Sequence, residues 1–219
     1  METIAPSVRS QSVFVVEDQP LVWEFLRIVI ETLDGLHWRG ACANLSQSQA
    51  SVFSSDPPDI VLVDIVLKDG FGWQILPKLP KHIGRPKFVF ISGSCDERSL
   101  AYCCRADVWG FIDKTACTLT DWRHALLDLA AGRRYFSTAA QQGIDRIRSD
   151  SSHWTKCLTD RECEMLPLFG QGWDNIEIGE NLRISPGTVH SHRRNILRKL
   201  DLHSSAQLMN WVSRKGLLN

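Results

Sequence analysis

No apolar run in the 219-residue sequence approaches the roughly 20 residues needed to span a bilayer. The opening stretch, METIAPSVRSQS, lacks the charged start and apolar middle of a secretory signal. Seven cysteines (Cys42, Cys95, Cys103, Cys104, Cys117, Cys157 and Cys163) are scattered, with no CxxC pair and no Cys/His cluster of metal-ligand spacing. An odd, dispersed set reads as reduced, small apolar residues of a cytoplasmic protein, not as a disulfide framework. A Walker loop and a Ser–His–Asp order are also missing. Excess charge is absent too, because 25 Lys and Arg balance 25 Asp and Glu. These absences argue against a membrane protein, a zinc module and a conventional enzyme.

The length suits two domains better than one. Charge is uneven only locally. Residues 151–219 carry nine Lys and Arg against seven Asp and Glu, a weak surplus. One segment stands out: SPGTVHSHRRNILRKL, Ser185 to Leu200, holds Arg193, Arg194, Arg198 and Lys199 and no acid.

From Gln11 to about Gly132, short apolar runs alternate with amphipathic stretches. The runs SVFVV, LHWRGACA, DIVLVDI, KFVFISG and VWGFID are of strand length and rich in Val, Ile and Phe, without strict alternation. That pattern suits strands buried on both faces, as in a parallel sheet. In PLVWEFLRIVIETL, the residues Leu21, Val22, Phe25, Leu26, Val29, Ile30 and Leu33 recur at helical spacing and predict one apolar face. Five strands with intervening helices imply a doubly wound α/β domain with a five-stranded parallel sheet. Ligands in such sheets bind beyond the carboxyl ends of the strands. Residues 133–153 carry Gly, Ser and polar side chains without a steady period and read as a linker, and only helical spacing follows. The expected organisation is therefore an α/β domain at 12–132, a linker at 133–153 and a small all-α domain at 154–219.

Glu17 and Asp18 follow VFVV, Asp64 ends IVLVD, Ser92 ends KFVFIS and Lys114 stands just past VWGFID. Strands lying side by side bring these residues to one edge of the sheet. Taken singly, each is an ordinary solvated loop residue. As a set they suit one task, with hard oxygens for Mg²⁺, a carboxylate nucleophile, and a hydroxyl and an ammonium to receive phosphoryl oxygens.

VVEDQPLV, VLVDIVLKDGFG, FISGS and GFIDK resemble the four motifs of a two-component receiver domain, over roughly residues 12–132. The resemblance implies a flavodoxin-like fold and phosphoryl transfer from a sensor histidine kinase to Asp64. It further implies Mg²⁺ held by Glu17, Asp18, Asp64 and the main-chain carbonyl of Val66, with Ser92 as the switch hydroxyl and Lys114 as the family's lysine. Phe111 matches the aromatic switch, although an aromatic residue on a buried strand equally suits core packing. Lys68 departs from the pattern: it stands where the family often has proline, and it brings an extra cation near the site.

Ser185 followed by Pro186 is a helix start, with a hydroxyl to cap an early N–H and proline at the first helical position. With Val189 at zero and about 100° per residue, Ile196 falls at about 340° and Leu200 at about 20°, forming an apolar stripe. His190, Ser191, Arg194, Asn195 and Arg198 occupy the opposite arc, which carries only donors and cations. The preceding DNIEIGENL supplies Ile176, Ile178 and Leu182, and RIS makes a tight connection. Two such helices form a helix-turn-helix whose second member fits the DNA major groove. The alternative is a solvated basic face on an ordinary bundle.

The segment from LTDRE to QLMNW resembles a LuxR-type DNA-binding domain nearly end to end. Thr159 and Glu162 fit a capping box for its first helix. The resemblance assigns base reading to His190, Ser191 and Arg194, and positions near phosphates to Thr188, His192, Arg198 and Lys199. His192 lies nearer the packed side, where a buried or capping role is the alternative. His190 and Ser205 depart from the usual lysine and arginine, Arg193 borders the apolar stripe, and Pro167 falls inside the first helix. Leu208, Trp211 and Val212 give the last helix one apolar face, for packing or for dimerisation.

Together the two resemblances imply a cytoplasmic response regulator of the NarL/FixJ type that is not a conventional enzyme. Its implied partners are promoter DNA, a sensor histidine kinase, RNA polymerase and a second copy of itself on activation, with no membrane contact. Two other readings stay open from sequence: a DNA-binding regulator indifferent to phosphorylation, and a receiver-led protein-interaction module.

Overall fold

The computed structural model describes residues 10–78, 86–105, 108–151 and 153–218. The chain divides into two compact units, Met1–Cys95 with Ala106–Gln142, and Asp96–Arg105 with Gly143–Asn219.

The first unit opens with β1 (Gln11–Val16), α1 (Pro20–Glu31), β2 (Leu36–Cys42), α2 (Leu45–Val52) and β3 (Ile60–Asp64). A small hairpin of β4 (Val66–Leu67) and β5 (Gly70–Phe71) and a 3₁₀ helix (Gly72–Lys78) follow. After β6 (Lys87–Ser92) comes α3 (Glu97–Arg105), which belongs to the second unit. The first unit resumes with β7 (Gly110–Asp113), α4 (Leu119–Ala130) and β8 (Tyr135–Phe136). The main sheet has the order β2-β1-β3-β6-β7-β8, and every neighbouring pair is parallel.

All five residues of β3 are buried, as are the last five of β6. This is the two-faced burial that their unbroken apolar runs require. On one side of the sheet, Leu26 and Ile30 of α1 and Leu126 and Leu129 of α4 join Val13, Val15, Leu62, Val89 and Ile91 in a single core. Pro20 opens α1, and a reciprocal Thr118–Asp121 capping box opens α4. The apolar face expected for α1 is narrower than its spacing suggested. Leu26, Val29, Ile30 and Leu33 are buried, while Leu21 is 80% exposed and Phe25, 37% exposed, makes an edge-on ring contact with Trp122.

Much of the stretch read as a linker takes up regular structure. Tyr135–Phe136 adds a sixth strand beside β7, and α5 (Thr138–Ser149) follows. A two-residue strand is too short to show any alternation. The buried apolar side chains of α5 (Ala140, Ile144 and Ile147) are spaced i, i+4, i+7 but diluted by polar neighbours.

The second unit adds α6 (Trp154–Cys157), α7 (Asp160–Gly170), α8 (Asn175–Leu182), α9 (Pro186–Lys199) and α10 (Ser205–Arg214) to α3 and the end of α5. Within it, the Glu97 carboxylate at the start of α3 accepts hydrogen bonds from Trp154 Nε1 at 3.0 Å and Lys215 Nζ at 2.9 Å, with His153 Nε2 at 3.0 Å. Pro167 lies inside α7, which runs on to Gly170 as one helix. Leu166 and Phe169 of α7 and Leu208 and Val212 of α10 are buried apolar residues of this unit. Arg183, in left-handed conformation, ends α8. Gly179 sits beneath the turn that follows: a Cβ there would stand 2.8 Å from the Ile184 carbonyl oxygen, so only glycine lets α8 approach the start of α9.

The capping box expected at Thr159 forms, and its Glu162 does a second job. Glu162 Oε2 accepts from Thr159 N and from Lys199 Nζ, both at 2.7 Å, which ties α7 to the end of α9. Burial acts to raise the Glu162 pKa, but the Lys199 and Thr159 bonds outweigh it and hold the carboxyl below its usual range. A folded-state pKa below the unfolded value contributes stability that is present above the unfolded pKa and is lost as pH falls through the folded one. Protection of α7 and α9 amides in the full-length protein, followed by hydrogen exchange, is therefore expected to weaken on acidification below about pH 4.3. Glu162→Gln should lower local stability by about 1–3 kcal/mol at neutral pH and remove this part of the acid dependence. Unchanged protection in Glu162→Gln would show that the tie contributes nothing.

Candidate functional site

The carboxyl ends of β1, β3, β6 and β7 lie along one edge of the sheet, set by the register Val16–Val63, Asp64–Ile91 and Ser92–Asp113. Glu17 and Asp18 follow β1, Asp64 ends β3, Ser92 ends β6 and Lys114 follows β7. Glu17 is fully buried, and Asp64 and Ser92 are nearly so. Lys114 Nζ donates to Glu17 Oε2 and to Asp64 Oδ2, each at 2.9 Å. Glu17, Asp18 and Asp64 offer carboxylate oxygens that all lie within 4.8 Å of one another.

Burial is the largest influence on both Glu17 and Asp64 and raises their pKa values, with the Lys114 bonds acting the other way. On Lys114, burial works to lower the pKa, but its bonds to Asp64 and Glu17 outweigh that and raise it. These directions agree physically: one ammonium is well served by two carboxylates, whereas two buried carboxylates are poorly served by one ammonium. The pocket is therefore short of positive charge. Its donors are hard oxygens, as Mg²⁺ requires, and the residues present fit that ion.

The surrounding backbone fixes these groups. Glu17 Oε1 accepts from Gln19 N at 3.0 Å. The Val66 amide approaches Asp64 Oδ1 at 3.4 Å, placing the start of β4 beside the phosphoacceptor candidate. Ser92 Oγ accepts from Ser94 N, and its carbonyl accepts from Lys114 N at 2.7 Å, which joins the two strand ends. Phe111 is fully buried in β7. Asp113 was not singled out from sequence, yet it sets the turn that aims Lys114. Its Oδ1 accepts from Thr115 N and Oγ1 and from Ala116 N. The signal was an Asx-turn pattern, Asp followed two residues later by Thr, concealed by the more conspicuous lysine between them.

On α9, Ser185 caps the helix by accepting from Thr188 N at 3.1 Å, and Val189 and Ile196 are fully buried. Of the outward arc, His190, Ser191, Arg194 and Arg198 are exposed and Asn195 is half-buried; Thr188 is exposed and His192 half-buried. Arg193 is held on the packed side, with its guanidinium 4.5 Å from the Phe169 ring centre and bonded to the Trp173 carbonyl and Ser205 Oγ. Lys199 is engaged by Glu162 inside the domain. Ile176, expected to join the packing face of α8, is 57% exposed.

The profile of the response regulator receiver domain matches residues 13–123, just over half the chain, and that of bacterial regulatory proteins of the luxR family matches residues 156–212. The chain belongs to the two-component response regulators that join a receiver domain to a LuxR-type DNA-binding domain, a class of transcription regulators and not of conventional enzymes. The chain is similar to the transcriptional regulatory protein MctR of Rhizobium johnstonii, at 26% identity over 99% of this chain and 98% of the relative. It is also similar to the fimbriae Z protein of Salmonella typhimurium, at 26% identity over 96% and 100%. The fold matches RcsB of Salmonella enterica serovar Typhimurium, solved bound to the rprA promoter with a phosphomimetic, at TM-score 0.67 and 19% identity over 94% and 99% of the two chains.

Gly72 packs directly under the site, where an added Cβ would collide with the Asp64 carbonyl oxygen and Val63 Cγ1. Gly72→Ala is expected to shift the end of β3 and to destabilise the protein by about 1–3 kcal/mol in denaturant titration. A stability equal to wild type would show that the clash is relieved without cost.

Proposed function

We propose that the protein is a cytoplasmic, phosphorylation-dependent transcription factor in which Asp64 accepts a phosphoryl group and α9 reads promoter DNA. The observation that carries this reading is the Lys114 ammonium bridging Asp64 and Glu17 in a pocket short of positive charge. An Asp64 carboxylate oxygen attacks the phosphorus of a phosphohistidine on a sensor kinase. The P–N bond breaks, the imidazole nitrogen leaves with the electron pair, and an acyl phosphate forms. When bound by Glu17, Asp18, Asp64 and the Val66 carbonyl, Mg²⁺ supplies charge neutralisation for the phosphoryl oxygens. Lys114 and Ser92 then contact those oxygens, the ammonium by charge and the hydroxyl by hydrogen bonding.

Drawing Ser92 toward the phosphoryl group strains the chain that runs from β6 into α3, and repacking around Phe111 accompanies it. The result is a shift between two states of one fold. The chain leaving Ser92 runs directly into α3, which belongs to the second unit, and this covalent link is the route taken by the proposed signal. Phosphorylated chains pair and place two α9 helices in half-sites about one helical turn (~34 Å) apart, if they bind symmetrically. His190, Ser191 and Arg194 face base edges. Thr188, His192 and Arg198 lie nearer the phosphates, with Lys199 joining them only by leaving Glu162. RNA polymerase is the downstream partner.

Binding of genomic promoter fragments before and after treatment with a small acyl phosphate tests the coupling. Affinity is expected to rise on treatment in wild type and to stay at the untreated level in Asp64→Asn. Equal affinity in all four samples would support a regulator indifferent to phosphorylation. Replacing Arg194 and Arg198 with alanine should weaken binding and make the slope of log K against log salt shallower by about 0.9 for each phosphate that is no longer neutralised. No selective binding at any salt would favour a protein-interaction module instead.

A further inference from the structure

The pocket carries a second cation besides Lys114. Lys68 Nζ lies 3.7 Å from Asp18 Oδ2, on the carboxylate that Lys114 does not engage. Each of the three candidate metal ligands therefore has an ammonium neighbour. Lys68 is 78% exposed and Asp18 only 14%, so the cation covers the acid from the solvent side.

The position of Lys68 is built by its neighbours. It occupies the two-residue turn between β4 and β5, which pair Val66 with Phe71 and Leu67 with Gly70. Its turn partner, Asp69, is clamped to the first turn of α2, accepting from Leu45 N at 3.0 Å, Ser46 N at 3.1 Å and Ser46 Oγ at 3.2 Å. On the returning strand, Phe71 N donates to Gln74 Oε1, and the Phe71 and Trp73 rings stack 4.5 Å apart. The hairpin is thus fixed at its tip and along its return. The ammonium is tethered within one side-chain length of Asp18, not carried on a wandering loop.

We infer that Lys68 is an affinity-setting residue of the metal site, a tethered cation that competes with the divalent metal for Asp18 and lowers the metal affinity of the unphosphorylated protein. A metal ion taking Asp18 displaces the ammonium from its partner, and the two positive charges then face each other across the pocket mouth. Both effects oppose metal binding. The inference rests on the Mg²⁺ site of the proposed function, and it concerns only Lys68 and Asp18.

The test is a calorimetric Mg²⁺ titration of the full-length, unphosphorylated protein, with Lys68→Arg, Lys68→Met and Lys68→Glu beside wild type. An exposed ion pair at this distance contributes modestly, so Lys68→Met is expected to bind Mg²⁺ about two- to fivefold more tightly than wild type. Lys68→Glu should bind more tightly still, and Lys68→Arg should match wild type. The differences should shrink at high salt, as screening of an exposed charge demands. Equal affinities across the series, with wild type binding Mg²⁺, would overturn the inference and leave the metal site standing. A shift of the same size in Lys68→Arg and Lys68→Met would also overturn it, because turn geometry and not charge would then be responsible. No Mg²⁺ binding by any of the four proteins would remove the metal site itself, and the inference with it.

Discussion

One ammonium shared by two buried carboxylates is the interaction on which the first unit depends for its chemistry. Lys114 reaches Glu17 and Asp64 only because β1, β3 and β7 end at one edge of the same parallel sheet. The sheet in turn is held in register by strands buried on both faces and by the α1–α4 core. Buried carboxylates without full compensation are costly, and that cost is what makes a pocket receptive to a divalent ion or a phosphoryl group's charged partners. Stability and function therefore oppose one another at this edge, as they often do where charge is stored for chemistry.

Smaller features aim the charges. Asp113 ties down the turn before Lys114 departs, Gly72 lets the 3₁₀ helix press against the end of β3, and Asp69 pins the hairpin that carries Lys68. None of these residues touches a reacting atom. Each decides where a charged group of the site is placed, which is how a site comes to depend on turns as well as on strands.

Most of the sheet was legible in the sequence because uninterrupted Val, Ile and Phe runs leave few alternatives to a strand with two buried faces. The acidic edge was legible because its members each terminate such a run. The cap at Ser185 and most of the outward arc of α9 followed from helical geometry alone, and α9 begins at Pro186 as that reasoning places it. What was hidden has physical causes. Two residues of β8 carry no period, and α5 dilutes three buried apolar side chains among polar ones. The exposure of Leu21 and Ile176 depends on which neighbours are present, which helical spacing does not encode. Pairings across long separations, such as Lys199 with Glu162 or Glu97 with Lys215, exist only once the helices are packed. The first of these removes one cation from the face that the basic run first suggested.

The claim at the centre is that the pocket beside Lys114 makes Asp64, and no other side chain, a phosphoryl acceptor. Intact-mass and peptide-level mass spectrometry of the full-length protein, incubated with a small acyl phosphate and Mg²⁺, tests it most directly. The expected result is a single phosphoryl group on the peptide containing Asp64, absent when Mg²⁺ is withheld. An unmodified protein, or a phosphoryl group found on a different residue, would contradict it.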